Sequence, residues 1–238
     1  MKPYFLIFQL LCCINLHAQH FQIKTENVTT VKFANLSGLV SIEGTANKNI
    51  SIDYYPDDPQ SKVSSGNTGI GVEYQKLNSA LVFTGLLPQA KKGRYAIYVP
   101  EKMLLNYQSD AGYTEQVAVV KCKGDIEINM PNDITLQDVS GGIVIQSTSG
   151  KVTVKSTAIN KHKPVSIITE TGSVYLAIPA DTNAELKLGS TTGTVHTILN
   201  SKGEKTIMKG KQFDTKLGTG GTQIQIQSLS GDIHFVQF

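Results

Sequence analysis

Residues 146–176 read QSTSGKVTVKSTAINKHKPVSIITETGSVYL and carry one phrase twice: Ser149-Gly150-Lys151-Val152-Thr153-Val154, then Thr171-Gly172-Ser173-Val174-Tyr175-Leu176. Written as glycine, any, apolar, any, apolar, the phrase starts at Gly38, Gly124, Gly141, Gly150, Gly172, Gly193 and Gly231. The residues two and four places after those glycines are apolar in thirteen of fourteen cases, Thr197 being the exception. The places between hold Ser41, Glu127, Val144, Thr153, Tyr175, His196 and His234. Period two with one apolar side describes a strand with one face buried. Ser or Thr precedes six of the seven glycines and Lys123 the other. Such pairs suit a corner where only the glycine takes positive φ, as in a type II turn, better than a tight hairpin, which favours Asn-Gly.

From Gly124 to Gly231 the intervals are 17, 9, 22, 21 and 38 residues. They fit a coil of about 20 residues with one half-step and one double step. The expectation is an all-β chain folded as a β-solenoid or β-roll-like stack of short strands. An irregular β-sandwich, which strand spacings of about 8–12 residues also allow, is the alternative.

Outward from this stretch, alternating segments at residues 21–24, 28–33, 39–43, 49–54, 70–75, 80–84 and 94–99 read as strands, and the Pro/Asp/Ser/Gly-rich residues 56–69 as a loop. No segment keeps apolar spacings of three and four over a helix length. The reading is a single β-repeat domain over residues 19–238, less regular in 19–115 and regular in 116–238. Residues 21–33 are expected to cap one end of the stack and residues 235–238 to finish the other.

Composition narrows the function classes. Twenty-two Lys plus Arg against 19 Asp plus Glu leave a formal charge of +3 over 238 residues, too little to imply a nucleic-acid partner. Arg94 is the sole arginine, which argues against an anion-clamping enzyme. At the N-terminus Lys2, an apolar run over residues 4–14 and Leu16-His17-Ala18 form a signal peptide pattern with cleavage between Ala18 and Gln19. The run is shorter than the roughly 20 apolar residues of a membrane span, so no integral span is expected in the mature chain. Lipoprotein anchoring at Cys13 is disfavoured, because Leu11 and Cys12 before it depart from the small residue such sites carry. Cys12 and Cys13 leave with the leader. Cys122 is then the mature chain's one thiol, without an internal disulfide partner, and it reads as a half-buried strand residue.

The Ser/Thr-Gly-x-Val-x-Val units carry a resemblance. So do the strand ending in Val99-Pro100, the run Leu176-Ala177-Ile178-Pro179-Ala180-Asp181, and the close Leu217-Gly218-Thr219-Gly220-Gly221-Thr222 through Ser230-Gly231-Asp232-Ile233. Together these resemble the bacterial "putative adhesin" domain family, whose members carry a β-strand repeat and have no established catalytic residues. The resemblance spans about residues 21–238. It implies a repeat-built β fold in a protein of the bacterial envelope.

Candidate sites are few. His196 and His234 occupy the same place in their units, and on neighbouring strands about 4.8 Å apart they could offer two ligands to one metal. Asp125 and Glu127, two apart on one strand, could act as a carboxylate pair on a polysaccharide. Tyr95, Tyr98, Tyr107, Tyr113 and Tyr175 could form a short sugar-stacking track. Each also has a plain structural reading: ladder positions, solvated carboxylates and strand aromatics. Gly218-Thr219-Gly220-Gly221 lacks the following helix of a phosphate loop and reads as a turn. Residues 160–163 read as a solvated basic loop. The sequence therefore assigns no catalytic, metal or cofactor residues. It points to an exported, non-catalytic scaffold or adhesin-like module whose partner is an unknown protein or glycan, with a carbohydrate-binding or polysaccharide-active β-helix protein as the alternative.

Overall fold

The computed structural model describes residues 18–58, 63–88, 92–201 and 204–238. The segment expected to be a signal peptide, residues 1–18 with Cys12 and Cys13, lies outside the described residues except for Ala18. In chain order the strands are β1 (Gln19–Lys24), β2 (Thr30–Ala34), β3 (Gly38–Thr45), β4 (Asn49–Pro56), β5 (Val72–Leu77), β6 (Ala80–Gly85) and β7 (Gly93–Pro100). Then come β8 (Leu104–Gln108), β9 (Thr114–Val120), β10 (Ile126–Asn129), β11 (Asp133–Val139), β12 (Ile143–Ser147), β13 (Val152–Ser156) and β14 (Val165–Thr169). The chain closes with β15 (Val174–Ile178), β16 (Ala184–Ser190), β17 (Val195–Ser201), β18 (Glu204–Gly210), β19 (Gln212–Leu217), β20 (Thr222–Ser228) and β21 (Ile233–Gln237). The described residues contain no helix.

These strands form two sheets. Sheet A runs β1-β4-β7-β3-β9-β11-β13-β15-β21-β17-β18, and sheet B runs β19-β16-β20-β14-β12-β10-β8-β2-β6-β5. From β8 to β15 the chain lays one strand in B and the next in A, and each strand pairs in parallel with its equivalent one coil away. The path is a β-solenoid of two-strand coils, as expected. A sandwich of hairpins would pair sequence neighbours antiparallel. Ile126 pairs with Ile143 and Ile143 with Val165, so coils here take 17 and 22 residues. The N-terminal half extends the same stack, with β2–β3 beside β8–β9 and β6–β7 beyond them.

All fourteen inward positions of the seven glycine units are at most 3% exposed, Thr197 included, and they pack between the two sheets. Burying one fully apolar face along every strand is the main favourable term here, at about 25 cal/mol per Å².

The two ends differ from the expected caps in two respects. Residues 30–33, the last part of the cap expected over residues 21–33, belong to β2, which lies inside sheet B between β8 and β6. β1 does form an edge of sheet A, and β4 and β5 close that end antiparallel to β7 and β6. The C-terminal strand, however, does not finish the other end. β20 and β21 insert between β14–β15 and β16–β17, pairing in parallel on both sides. β18 and β19, antiparallel to β17 and β16, close the stack instead. The 38-residue glycine interval is therefore an outward excursion that returns. To return, the turn after β19 crosses the start of β16. Gly218 and Gly220 adopt φ of 55° and 79° there, and Asn183 Oδ1 accepts the Thr219 amide at 2.8 Å.

The corner glycines also require a correction. Of the seven, only Gly38 has positive φ. The others are glycine because coils touch at the corners. A Cβ on Gly172 would lie 1.9 Å from the Gly150 carbonyl oxygen, one on Gly231 2.1 Å from that of Gly172, and one on Gly193 2.6 Å from that of Gly231. At the opposite corner a Cβ on Gly141 would lie 2.0 Å from the Gly124 carbonyl oxygen, and one on Gly124 at the same distance from that of Met103.

The preceding hydroxyl residues hook the coils together. The amide and the hydroxyl of Ser149 both donate to the Pro131 carbonyl, and those of Thr171 to the Thr148 carbonyl. Ser230 does the same to Glu170, and Thr192 to Leu229. Two residues further back, Ser147, Thr169, Ser228 and Ser190 form a buried inner column. Within it the Gly231 and Gly193 amides donate to Ser228 and Ser190. The corner motif is thus Ser/Thr-x-Ser/Thr-Gly, of which the sequence reading caught only the last two places.

Two outcomes follow from this arrangement. Gly172→Ala drives a methyl into backbone that cannot move without parting two coils. It should cost at least about 2 kcal/mol, read as a fall of several degrees in melting temperature; an unchanged melting curve contradicts the stacking account. Deleting residues 231–238 opens sheet A between β15 and β17 and should leave the chain insoluble. A soluble, folded truncation would show that β21 is dispensable.

Candidate functional site

On the outer face of sheet A, Tyr175, His234 and His196 stand side by side on β15, β21 and β17. The two imidazoles stack with centroids 4.8 Å apart and planes 6° apart. The insertion of β21 beside β17 makes them direct neighbours, as their shared phase suggests. Stacked rings send their in-plane lone pairs along parallel lines. Among the described residues no group of three or more His, Cys, Asp or Glu could hold a metal. Burial, then the His196 ring, holds His234 below its ordinary value of 6.5; Lys151 adds to this and Asp232 opposes it.

Asp125 and Glu127 do not act as a pair. Asp125 Oδ1 accepts the Gly142 amide of the next coil at 2.9 Å, and Oδ2 meets Lys163 Nζ at 2.8 Å. The Lys163 hydrogen bond holds its carboxyl below the usual carboxylate range, opposite to what a proton-donating glycosidase acid needs. Asp133 and Asp232 do the same work for Lys151 and Thr194, both at 2.8 Å. Glu127 accepts from Asn106 at 2.9 Å. Lys163, read as part of a solvated loop, is thereby tied to the stack.

The tyrosine track does not exist. Tyr95 and Tyr107 are 1% exposed. Tyr95 lies 4.8 Å from Tyr54 in the core, and the Tyr107 hydroxyl bonds Thr114 at 2.7 Å. Inward phase puts them there, because the alternation starting at Gly93 places Tyr95, Ile97 and Val99 inside. Cys122 lies just past β9, more deeply buried than expected at 1% exposed, and burial pushes its thiol up to about 12. A buried, protonated thiol of this kind is a poor nucleophile at neutral pH.

The sequence reading missed a groove of about 930 Å³ on the outer face of sheet B, over β14, β20, β16 and β19. Ile168, Gln227, Gly189 and Gln212 share one register line across its floor. Gln225, Lys187 and Asp214 share the next. Corner residues Glu170, Thr191 and Leu229 wall one end. Gly189 makes the hollow. It has no positive φ, and a Cβ there would meet nothing within 4 Å. A glycine inside a strand costs roughly 0.5–1 kcal/mol relative to alanine. The readable signal was Thr222-Gln223-Ile224-Gln225-Ile226-Gln227-Ser228, whose alternation sets three glutamines on one face.

A family model described as Toastrack DUF4097 matches residues 116–235. The chain belongs to the Toastrack family. The resemblance read from the glycine units is borne out, with the match lying on the regular part of the repeat, and the Toastrack fold is β-solenoid-like. No curated protein matches the chain. Among solved structures, one described as a "putative cell adhesion protein" from Clostridium sporogenes aligns with 93% of this chain and 100% of that one. Its TM-score is 0.48 and its identity 14%. Another, a "putative adhesin" from Bacteroides fragilis, aligns with 93% of this chain and 97% of that one, with a TM-score of 0.38 and 11% identity.

The histidine pair sets a pH response. With His234 held low in the fold, the unfolded chain takes up its proton first as pH falls. This contribution to stability is therefore complete above about 6.5 and declines below it. The melting temperature should be lower at about pH 5.5 than at neutral pH, and the difference should shrink in His234→Gln. Scanning calorimetry at the two pH values tests this; an equal difference in the variant assigns the response to other groups.

Proposed function

We propose that the protein is an exported, non-catalytic interaction module of the bacterial envelope, formed as one domain over residues 19–238. It presents the outer faces of a rigid solenoid to a partner. The observation that carries this reading is the use made of the polar groups at the coil corners. Asp125, Asp133 and Asp232, with the hydroxyls of Ser149, Thr171, Thr192 and Ser230, are spent on holding one coil to the next. Asp125, half of the carboxylate pair that could serve acid–base work, is thus engaged in holding the stack. The outer faces remain as long polar ladders with one broad groove described above. No helix of the described residues is long and apolar enough to cross a membrane.

Fractionation of bacteria expressing the full chain, with mass spectrometry of the mature N-terminus, tests export. A chain beginning at Gln19 outside the cytoplasm is expected, and an unprocessed cytoplasmic chain would overturn the reading. Release of reducing ends from envelope polysaccharide, lost in Asp125→Ala, would overturn the non-catalytic part.

A further inference from the structure

We infer that the outer face of sheet B is a binding track for an uncharged, hydroxyl-rich glycan chain, with its principal subsite in the groove over Gly189. The inference rests on the interaction-module reading and supplies its ligand class.

The first observation is Gly189 itself. The corner glycines are explained by a neighbouring carbonyl that a Cβ would strike, and those of the β19–β20 turn by positive φ. Gly189 has neither reason, yet it sits within β16 with strands paired on both sides. An interior strand glycine without a backbone cause marks a place where a ligand approaches closely. Here the missing side chain opens the floor of a groove of about 930 Å³.

The second observation is the chemistry of the row through Gly189. Gln212, Gly189, Gln227 and Ile168 continue coil by coil into Gln146, Asn129 and Gln108. This line crosses seven strands without a charged residue. Gln146, Asn129 and Gln108 follow one another at the strand spacing of about 4.8 Å, and Gln227 and Gln212 stand at double that spacing beyond Ile168 and Gly189. Each amide offers donors and an acceptor together, matching a hydroxyl, which also both donates and accepts. Ile168 and Leu229, 43% and 57% exposed, give apolar contact for the C–H face of a sugar ring. In the groove Lys187 and Lys211 are balanced by Glu170 and Asp214, so the site favours neither an anionic nor a cationic polymer. The groove floor offers an extended polypeptide no unpaired strand, because β14, β20 and β16 are paired on both sides; the one free edge, that of β19, lies at the groove's border.

The test is a glycan array of neutral and acidic oligosaccharides probed with the full chain, followed by titration calorimetry with the best neutral hit. The variants are Gly189→Leu, which fills the groove, and Tyr175→Ala on the other sheet. Binding of neutral oligosaccharides is expected, with affinity reduced at least tenfold in Gly189→Leu and unchanged in Tyr175→Ala. The melting temperature of Gly189→Leu should equal or exceed that of the parent. Undiminished binding by Gly189→Leu removes the groove as the site. A lowered melting temperature in that variant removes the premise that Gly189 has no structural role. Binding confined to acidic sugars, or absent from every glycan, overturns the ligand class; export to the envelope would still stand on its own fractionation result.

Discussion

The structure depends on how closely successive coils meet at their corners. Backbone passes over backbone there at a distance that excludes even a methyl group, as the Gly150, Gly172, Gly231 and Gly193 column shows. That contact sets the strands of both sheets into register, since each corner fixes where the next strand begins. The hydroxyls of Ser149, Thr171, Ser230 and Thr192 and the carboxylates of Asp125, Asp133 and Asp232 then satisfy corner groups that regular ladders leave over. Buried or half-buried polar backbone must find partners, and here the partners come from the adjacent coil. Stacking and satisfaction are therefore one event, which is why the phrase repeats so strictly.

Much of this was legible because strand phase is a local property. Once Gly172 is placed, Val174 and Leu176 must face in and Tyr175 out, and the solenoid follows from seven such placements. Two things were not legible. A glycine selected by contact and one selected by φ look the same in a sequence, so the corners were first read as turns of the wrong kind. The order of coils was also hidden. Nothing in residues 193–231 announces that β20 and β21 return to the inner side of β16 and β17, because pairing partners in a parallel ladder are chosen by long-range contact.

The same limits apply to the sites. His196 and His234 shared a phase, and the inserted coil made them neighbours. Asp125 and Glu127 also shared an outward setting, yet Asp125 turned to the next coil's amide, a partner invisible without the stack. Tyr95 and Tyr107 were counted as surface aromatics although the alternation already set them inward. The groove escaped notice because it is built from four strands that are distant in sequence, and its central feature is the absence of a side chain. A missing group leaves no motif.

The inserted final coil has a kinetic consequence. β16 and β17 precede β20 and β21 in the chain but lie outside them, so their inner edges stay unpaired until residues 222–237 have emerged. The stack cannot therefore zip steadily from one terminus, as a simple repeat array can. Its C-terminal end closes only when the last segment enters, through contacts of high sequence separation that form slowly. That delay keeps the far end of the stack open and pliable until β20 and β21 arrive, and makes their insertion the step that locks the fold.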